Sequence, residues 1–139
     1  MIAYVDSSVV LRLVLGQPGR LNEWPRVDAA VASGLVEVEC FRTLDRFRLQ
    51  RPAADRDLAD RREAVFALLR SFEIVDVDRP VLARAALSLP IALGTLDAIH
   101  LATAVLWRES QGQDLVMATH DVALATAARA SGFTVIGSR

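Results

Sequence analysis

The sequence predicts an α/β fold, a three-layer α/β/α sandwich with a central parallel sheet. Three observations predict it. Short apolar runs of strand length recur at residues 2–5, 72–75, 115–118 and 133–136, and stretches of helical periodicity separate them. A hydrophobic fraction of 53% over 139 residues is ample for one core, and no repeat, low-complexity tract or linker divides the chain, so residues 1–139 are expected to form a single domain. Residues 96–107 are apolar nearly all round, as a helix at the centre of a fold must be.

Each element has a local cause. Ile2-Ala3-Tyr4-Val5 is a short strand running into Asp6-Ser7-Ser8, which opens a helix through Leu15 that Gly16-Gln17-Pro18-Gly19 stops. Residues 21–32 are expected as a helix or helical turn, although Pro25 and a strand-like Ala29-Ala30-Val31-Ala32 weigh against it. Ser33 is placed to cap a helix over residues 34–50, with Pro52 marking its end. Residues 55–71 are helical in composition, with Leu58, Val65, Leu68 and Leu69 on the apolar side. After the strand at 72–75, Asp78-Arg79-Pro80 opens another helix, with proline near the tolerated first turn, and Pro90 lies beyond its end. Thr95 is expected to cap the buried helix of residues 96–107. A buried strand over 115–118 then leads through Thr119-His120-Asp121 into an alanine-rich helix to about Ala130, then Gly132 and the last strand.

Charge and composition exclude several classes. The net charge is −1, from 16 basic and 17 acidic side chains, so no global positive field advertises nucleic-acid binding and any such binding must be local. Every basic residue is arginine, and seven of them, Arg42, Arg46, Arg48, Arg51, Arg56, Arg61 and Arg62, fall within 21 residues. That cluster reads either as a solvated helical face shared with Asp45, Asp55, Asp57 and Asp60, or as a surface for an RNA backbone or an acidic partner. No apolar stretch reaches the ~20 residues a membrane span needs, and the start meets Asp6 without a basic n-region, so a cytoplasmic protein with no membrane association is expected. Cys40 is the only cysteine, which rules out an intramolecular disulfide or a multi-cysteine zinc site.

The candidate chemistry lies in carboxylates. Ligands of open parallel sheets gather outside the carboxyl ends of the strands, where Asp6 follows the first strand and Asp121 follows the strand at 115–118. Asp97 stands in the first turn of the buried helix, whose positive end favours a carboxylate. Alone, any of the three is equally a helix cap. Together they repel one another, and a divalent cation with oxygen ligands, Mg²⁺ or Mn²⁺, offsets that repulsion and activates water for phosphodiester hydrolysis. A fourth acid is expected from the helix after Ser33, and helical periodicity leaves Glu37 and Glu39 equally open.

The segments Tyr4-Val5-Asp6-Ser7-Ser8, Ser33 to Arg42, Thr95 to Ala104 and Met117 to Asp121 resemble, in order, the motifs of PIN-domain ribonucleases, above all the VapC-type toxins of bacterial toxin–antitoxin pairs. The resemblance implies a metal-dependent endoribonuclease with Asp6, Glu39, Asp97 and Asp121 as metal-holding catalytic acids, and Glu37 as a bystander. It also implies RNA as substrate, a homodimer, and a small antitoxin protein as partner. The 24 positions from Asp97 to Asp121 exceed the family's habit; Trp107 to Gly112 looks like the insertion, and Asp114 is a rival for the last acid. Ser7, Ser8 and Thr119 serve equally as caps or as contacts to a ligand, and Arg42 as an ion pair or a substrate contact. His100, one turn after Asp97, reads as a satisfied core histidine, and a role for His120 is not supported. Two other classes compete: a phosphoryl-transfer enzyme with Asp6 as nucleophile, disfavoured by Ser8 at the place of a second acid and by the absence of lysine, and a PIN-like binding module that has lost turnover.

Overall fold

The computed structural model describes residues 1–50 and 55–138. Five strands alternate with helices: β1 (Ile2–Val5), α1 (Ser7–Leu15), a 3₁₀ turn (Trp24–Arg26), β2 (Ala29–Ser33), α2 (Leu35–Gln50), α3 (Asp55–Leu69), β3 (Glu73–Val75), α4 (Arg79–Ala85), α5 (Thr95–Gln111), β4 (Val116–Ala118), α6 (Val122–Ala130) and β5 (Val135–Ile136). All pairings are parallel and the strand order is β3-β2-β1-β4-β5. The expected α/β/α layering is therefore present, with β1 at the centre and the order reversing between β1 and β4.

The pleat sorts the core into two layers. Ala3 and Val5 of β1, Ala30 and Ala32 of β2 and Ala118 of β4 meet Val9, Val10, Val36, Cys40, Leu44, Val65 and Leu69 of α1, α2 and α3. Their alternates Tyr4, Val31 and Met117 meet Leu101, Ala104 and Trp107 of α5 and Leu124, Ala127 and Ala128 of α6. One sheet face is thus mostly alanine, which lets helices approach closely, and the other carries the bulk. Leu101, Met117 and Leu124 are buried, each worth roughly 1.5–3 kcal/mol of transfer free energy. α4 packs on α5 through Val81, Ile99 and Ala102, and Arg84 donates to both Glu109 oxygens at 3.1 and 2.7 Å across the exposed side of that pair.

Three expectations need correction. Residues 21–32 do not form a helix: Pro25 sits inside the single 3₁₀ turn, and Ala29–Ser33 is a strand paired with β1 and β3. Alanine-rich sequence suits either state, and the open slot in the sheet decides. Thr95 is the first residue of α5 rather than its cap; Gly94 is the cap and offers no side-chain bond. Trp107 to Gln111, in the stretch that lengthens the interval from Asp97 to Asp121, continue α5 until Gly112, at φ 61°, closes it. Phe72, Leu115 and Phe133 lie outside the shorter strands but are buried against the core. Pro52 and Arg51 lie outside the described residues. Among those described, no helix is long and apolar enough to cross a membrane.

Cys40 is wholly buried under the alanine face, and burial, with the charges of Glu39 and Asp6, pushes its thiol up to about 12. Iodoacetamide at pH 8 should therefore leave the folded protein unlabelled and add one adduct in denaturant, read by intact mass. Rapid labelling of the native protein would show that α2 is not seated on the sheet as described.

Candidate active site

The strand order reverses between β1 and β4, and a parallel sheet opens a crevice at such a point, beyond the carboxyl ends of its strands. Asp6 and Asp121 stand there. Both are helix caps: Asp6 accepts from the Val9 N–H at 3.3 Å, and Asp121 from the Leu124 N–H at 2.8 Å. Capping engages Oδ1 in each case, so the capping role coexists with a second use of the carboxylate.

Asp6 is buried to 4% exposure and hydrogen-bonded on both oxygens. The Ser8 hydroxyl donates to Oδ1 at 2.6 Å and the Thr119 hydroxyl to Oδ2 at 2.6 Å. Burial raises the Asp6 carboxyl above the ordinary range, and the Ser8 and Thr119 bonds pull it part of the way back. Thr119 also accepts the Asp121 N–H at 3.0 Å, and Ser8 accepts the His120 N–H at 3.0 Å. Two hydroxyls thus lash the end of β1 to the loop that carries Asp121.

Asp97 occupies the first turn of α5. Its carboxyl is raised, first by burial and next by the charge of Asp121; Asp6 and Glu39 push in the same direction, while His100 opposes them. All four acids expected from the sequence therefore share one electrostatic environment. Glu39 is half-buried on α2 and its Oε1 takes the His100 Nε2 at 2.5 Å. Glu37, on the same helix, is exposed and lines a groove with Phe41, Arg42 and Arg62. Asp114 is exposed in the turn before β4. Arg42 pairs with Asp45 at 2.9 Å on the surface, and Ser7 opens α1 without a cap bond of its own.

Residues outside the expected acids also build the site. His100 is buried and satisfied, as a core histidine should be, yet its partners are Glu39 and Tyr4, whose hydroxyl lies 2.6 Å from Nδ1. The i, i+3 spacing from Asp97 was the available signal. His120 holds the Gly137 carbonyl at 2.8 Å through Nδ1. Gly137 has φ 90°, and a Cβ there would stand 2.7 Å from the Thr119 carbonyl, so the turn after β5 fits only glycine.

Apart from His100, engaged on both nitrogens, and His120, which bonds through Nδ1 and has no partner for its buried Nε2 among the described residues, the donors are carboxylate and hydroxyl oxygens, a set that suits hard divalent cations rather than zinc. Among the described residues no three His, Cys, Asp or Glu side chains are grouped tightly enough to hold one ion by themselves. Hard cations such as Mg²⁺ are commonly held by one or two carboxylates and complete their shells with water and phosphate oxygens, a demand that does not require three acids on one ion.

An acidic crevice at the switch point of a five-stranded parallel sheet is the setting of the PIN domain, whose family model matches residues 3–130. The chain belongs to that family, and within it to the VapC type. It is 35% identical to Ribonuclease VapC46 of Mycobacterium tuberculosis over 138 residues, covering 96% of this chain and 95% of the relative. In fold it resembles a chain of VapBC2 from Rickettsia felis, crystallised bound to a promoter DNA fragment, with TM-score 0.67, 10% identity and 97% of each chain covered. A toxin–antitoxin complex from Klebsiella pneumoniae gives TM-score 0.63 at 20% identity, with 86% of each chain covered.

The raised Asp97 carboxyl fixes the sign of a stability effect. Ionising it costs the metal-free fold stability as pH rises through its folded value, whereas below the unfolded value near 4 both states hold the proton and nothing is lost. Asp97→Asn should therefore melt above the wild type at pH 7 without metal, and the gain should shrink as pH falls towards 4. A variant that melts below the wild type at pH 7 would mean that the carboxylate makes a net structural bond.

Proposed function

We propose that the protein is a divalent-metal-dependent endoribonuclease in which Asp6, Glu39, Asp97 and Asp121 hold Mg²⁺ or Mn²⁺ and position RNA for phosphodiester hydrolysis. What supports this reading is placement: Asp6 and Asp121 follow the adjacent central strands β1 and β4, Asp97 opens α5, and Glu39 is joined to α5 through His100, with the charges of the other three acids raising the Asp97 carboxyl. Such repulsion is tolerable at neutral pH if a cation normally neutralises it. When bound, the ion supplies charge neutralisation at the phosphodiester and an activated water, as carboxylate-held metals do. The chain's own part is to hold its acids still: Ser8 and Thr119 fix Asp6, and the α6 cap fixes Asp121. Beside Asp6 stands the Ser8 hydroxyl at 2.6 Å rather than a second acid, and the sequence holds no lysine for a transferred phosphate, which disfavours the phosphoryl-transfer alternative.

Kinship with VapC46 supports placing the chain as the toxin of a toxin–antitoxin pair, a cytoplasmic homodimer held in check by a small antitoxin protein. The exposed Arg42, Arg46, Arg48, Arg61 and Arg62 on α2 and α3 give an otherwise neutral protein a local cationic surface for RNA or for an acidic antitoxin segment.

RNA cleavage by the purified protein should need added Mg²⁺ or Mn²⁺ and stop in excess EDTA. Asp97→Asn should lower it by orders of magnitude while Glu37→Gln leaves it near wild type. Undiminished cleavage in EDTA, or a dead Glu37→Gln beside an active Glu39→Gln, would sink the site as assigned.

Replacing Arg42, Arg46 or Arg48 with alanine should weaken RNA binding and reduce the slope of log affinity against log salt by about 0.7 for each phosphate no longer neutralised. Slopes equal to wild type in every variant would leave these arginines as a solvated face only.

A further inference from the structure

We propose that His100, locked by Tyr4, is the positioning residue that fixes the carboxylate of Glu39 for cation binding; this rests on the proposed function above. A polar ring buried to 1% exposure is costly unless both nitrogens are engaged. Both are: Tyr4 Oη is 2.6 Å from Nδ1 and Glu39 Oε1 is 2.5 Å from Nε2. A carboxylate can only accept. Nε2 therefore carries a hydrogen and donates it to Glu39; in the neutral ring Nδ1 then accepts the Tyr4 O–H, and in the imidazolium the Tyr4 oxygen accepts from Nδ1–H. The carboxylate thus sets the hydrogen on Nε2, while the wholly buried tyrosine engages the other nitrogen and braces the ring edge-on at 5.9 Å and 73°.

The chain of bonds joins the elements that carry three of the four acids. Tyr4 precedes Asp6 by two residues in β1, His100 follows Asp97 by one turn of α5, and Glu39 belongs to α2. Packing alone does not require it, because a buried polar network is commonly no more stabilising than apolar residues of the same shape. What the network adds is direction. With Oε1 held by Nε2–H, the plane of the Glu39 carboxylate is set, and so is the direction of Oε2. Residues that orient a ligand in this way typically change metal affinity or activity by about 10–100-fold when removed.

The test compares wild type, Tyr4→Phe, His100→Leu and His100→Gln, the last keeping an N–H for Glu39. Long-range ¹H–¹⁵N spectra should show a hydrogen on Nε2 in the wild type, kept in Tyr4→Phe by Glu39 but with ring resonances broadened once the tyrosine brace is gone. The Mn²⁺ dissociation constant, by calorimetry, should rise roughly 10–100-fold in His100→Leu and recover most of that in His100→Gln. In RNA cleavage kcat should fall with little change in KM. A wild-type ring protonated on Nδ1 alone would overturn the proposal, as would Mn²⁺ affinities within about twofold of wild type in folded His100→Leu and Tyr4→Phe. If His100→Leu fails to fold, judged by alkylation of Cys40, the same criteria apply to Tyr4→Phe. A wild type that binds Mn²⁺ yet cleaves no RNA refutes the proposed activity while the spectra and affinities still decide the role of His100; one that binds no Mn²⁺ overturns both.

Discussion

Asp6 is a carboxylate placed at 4% exposure at the end of the central strand, and much of the local architecture follows from the need to satisfy it. A buried charge is expensive unless hydrogen-bonded. Its backbone N–H is taken by Ala118 of β4 at 3.3 Å, its Oδ1 by Ser8 and Val9 of α1, and its Oδ2 by Thr119 beyond β4. Each partner belongs to an element that must be in register for the bond to form. The same residue that terminates β1 therefore fixes how α1 leaves the sheet and where the loop bearing Asp121 sits.

That economy extends to the other acids. Helix capping, usually a rival explanation for an aspartate after a strand, here is the means by which Asp6 and Asp121 are held. Glu39 has no backbone cap to hold it, being on the fifth position of α2, and is instead tied across the sheet to α5 through His100. The acids are thus steadied by different devices suited to where the chain happens to put them, and their shared feature is the charge that each imposes on Asp97.

Much of the layering was legible in the residues because strand alternation and helical periodicity are local. The run from Leu96 to Trp107 was expected to be buried; Ala98 to Ala104 and Trp107 are, while Leu96 stays exposed. Residues 29–33 were ambiguous because small residues satisfy either period; hydrogen bonds to β1 and β3, distant in sequence, make them a strand. Glu37 and Glu39 were inseparable by periodicity because apolar neighbours flank both; in the fold one faces water and the other meets a buried imidazole. His100 was readable as a core residue, but its partners lie 96 and 61 residues away, and no local pattern reports them.

The bond from Thr119 to Asp6 closes a loop of 113 residues. Closing so long a loop gains nothing until the intervening strands have paired, so contacts of this range form late in folding. The crevice is in consequence among the last features of the molecule to assemble. A partly folded chain holds its acids on separate, unregistered segments, and whatever chemistry the finished cleft performs arrives together with the completed sheet rather than before it.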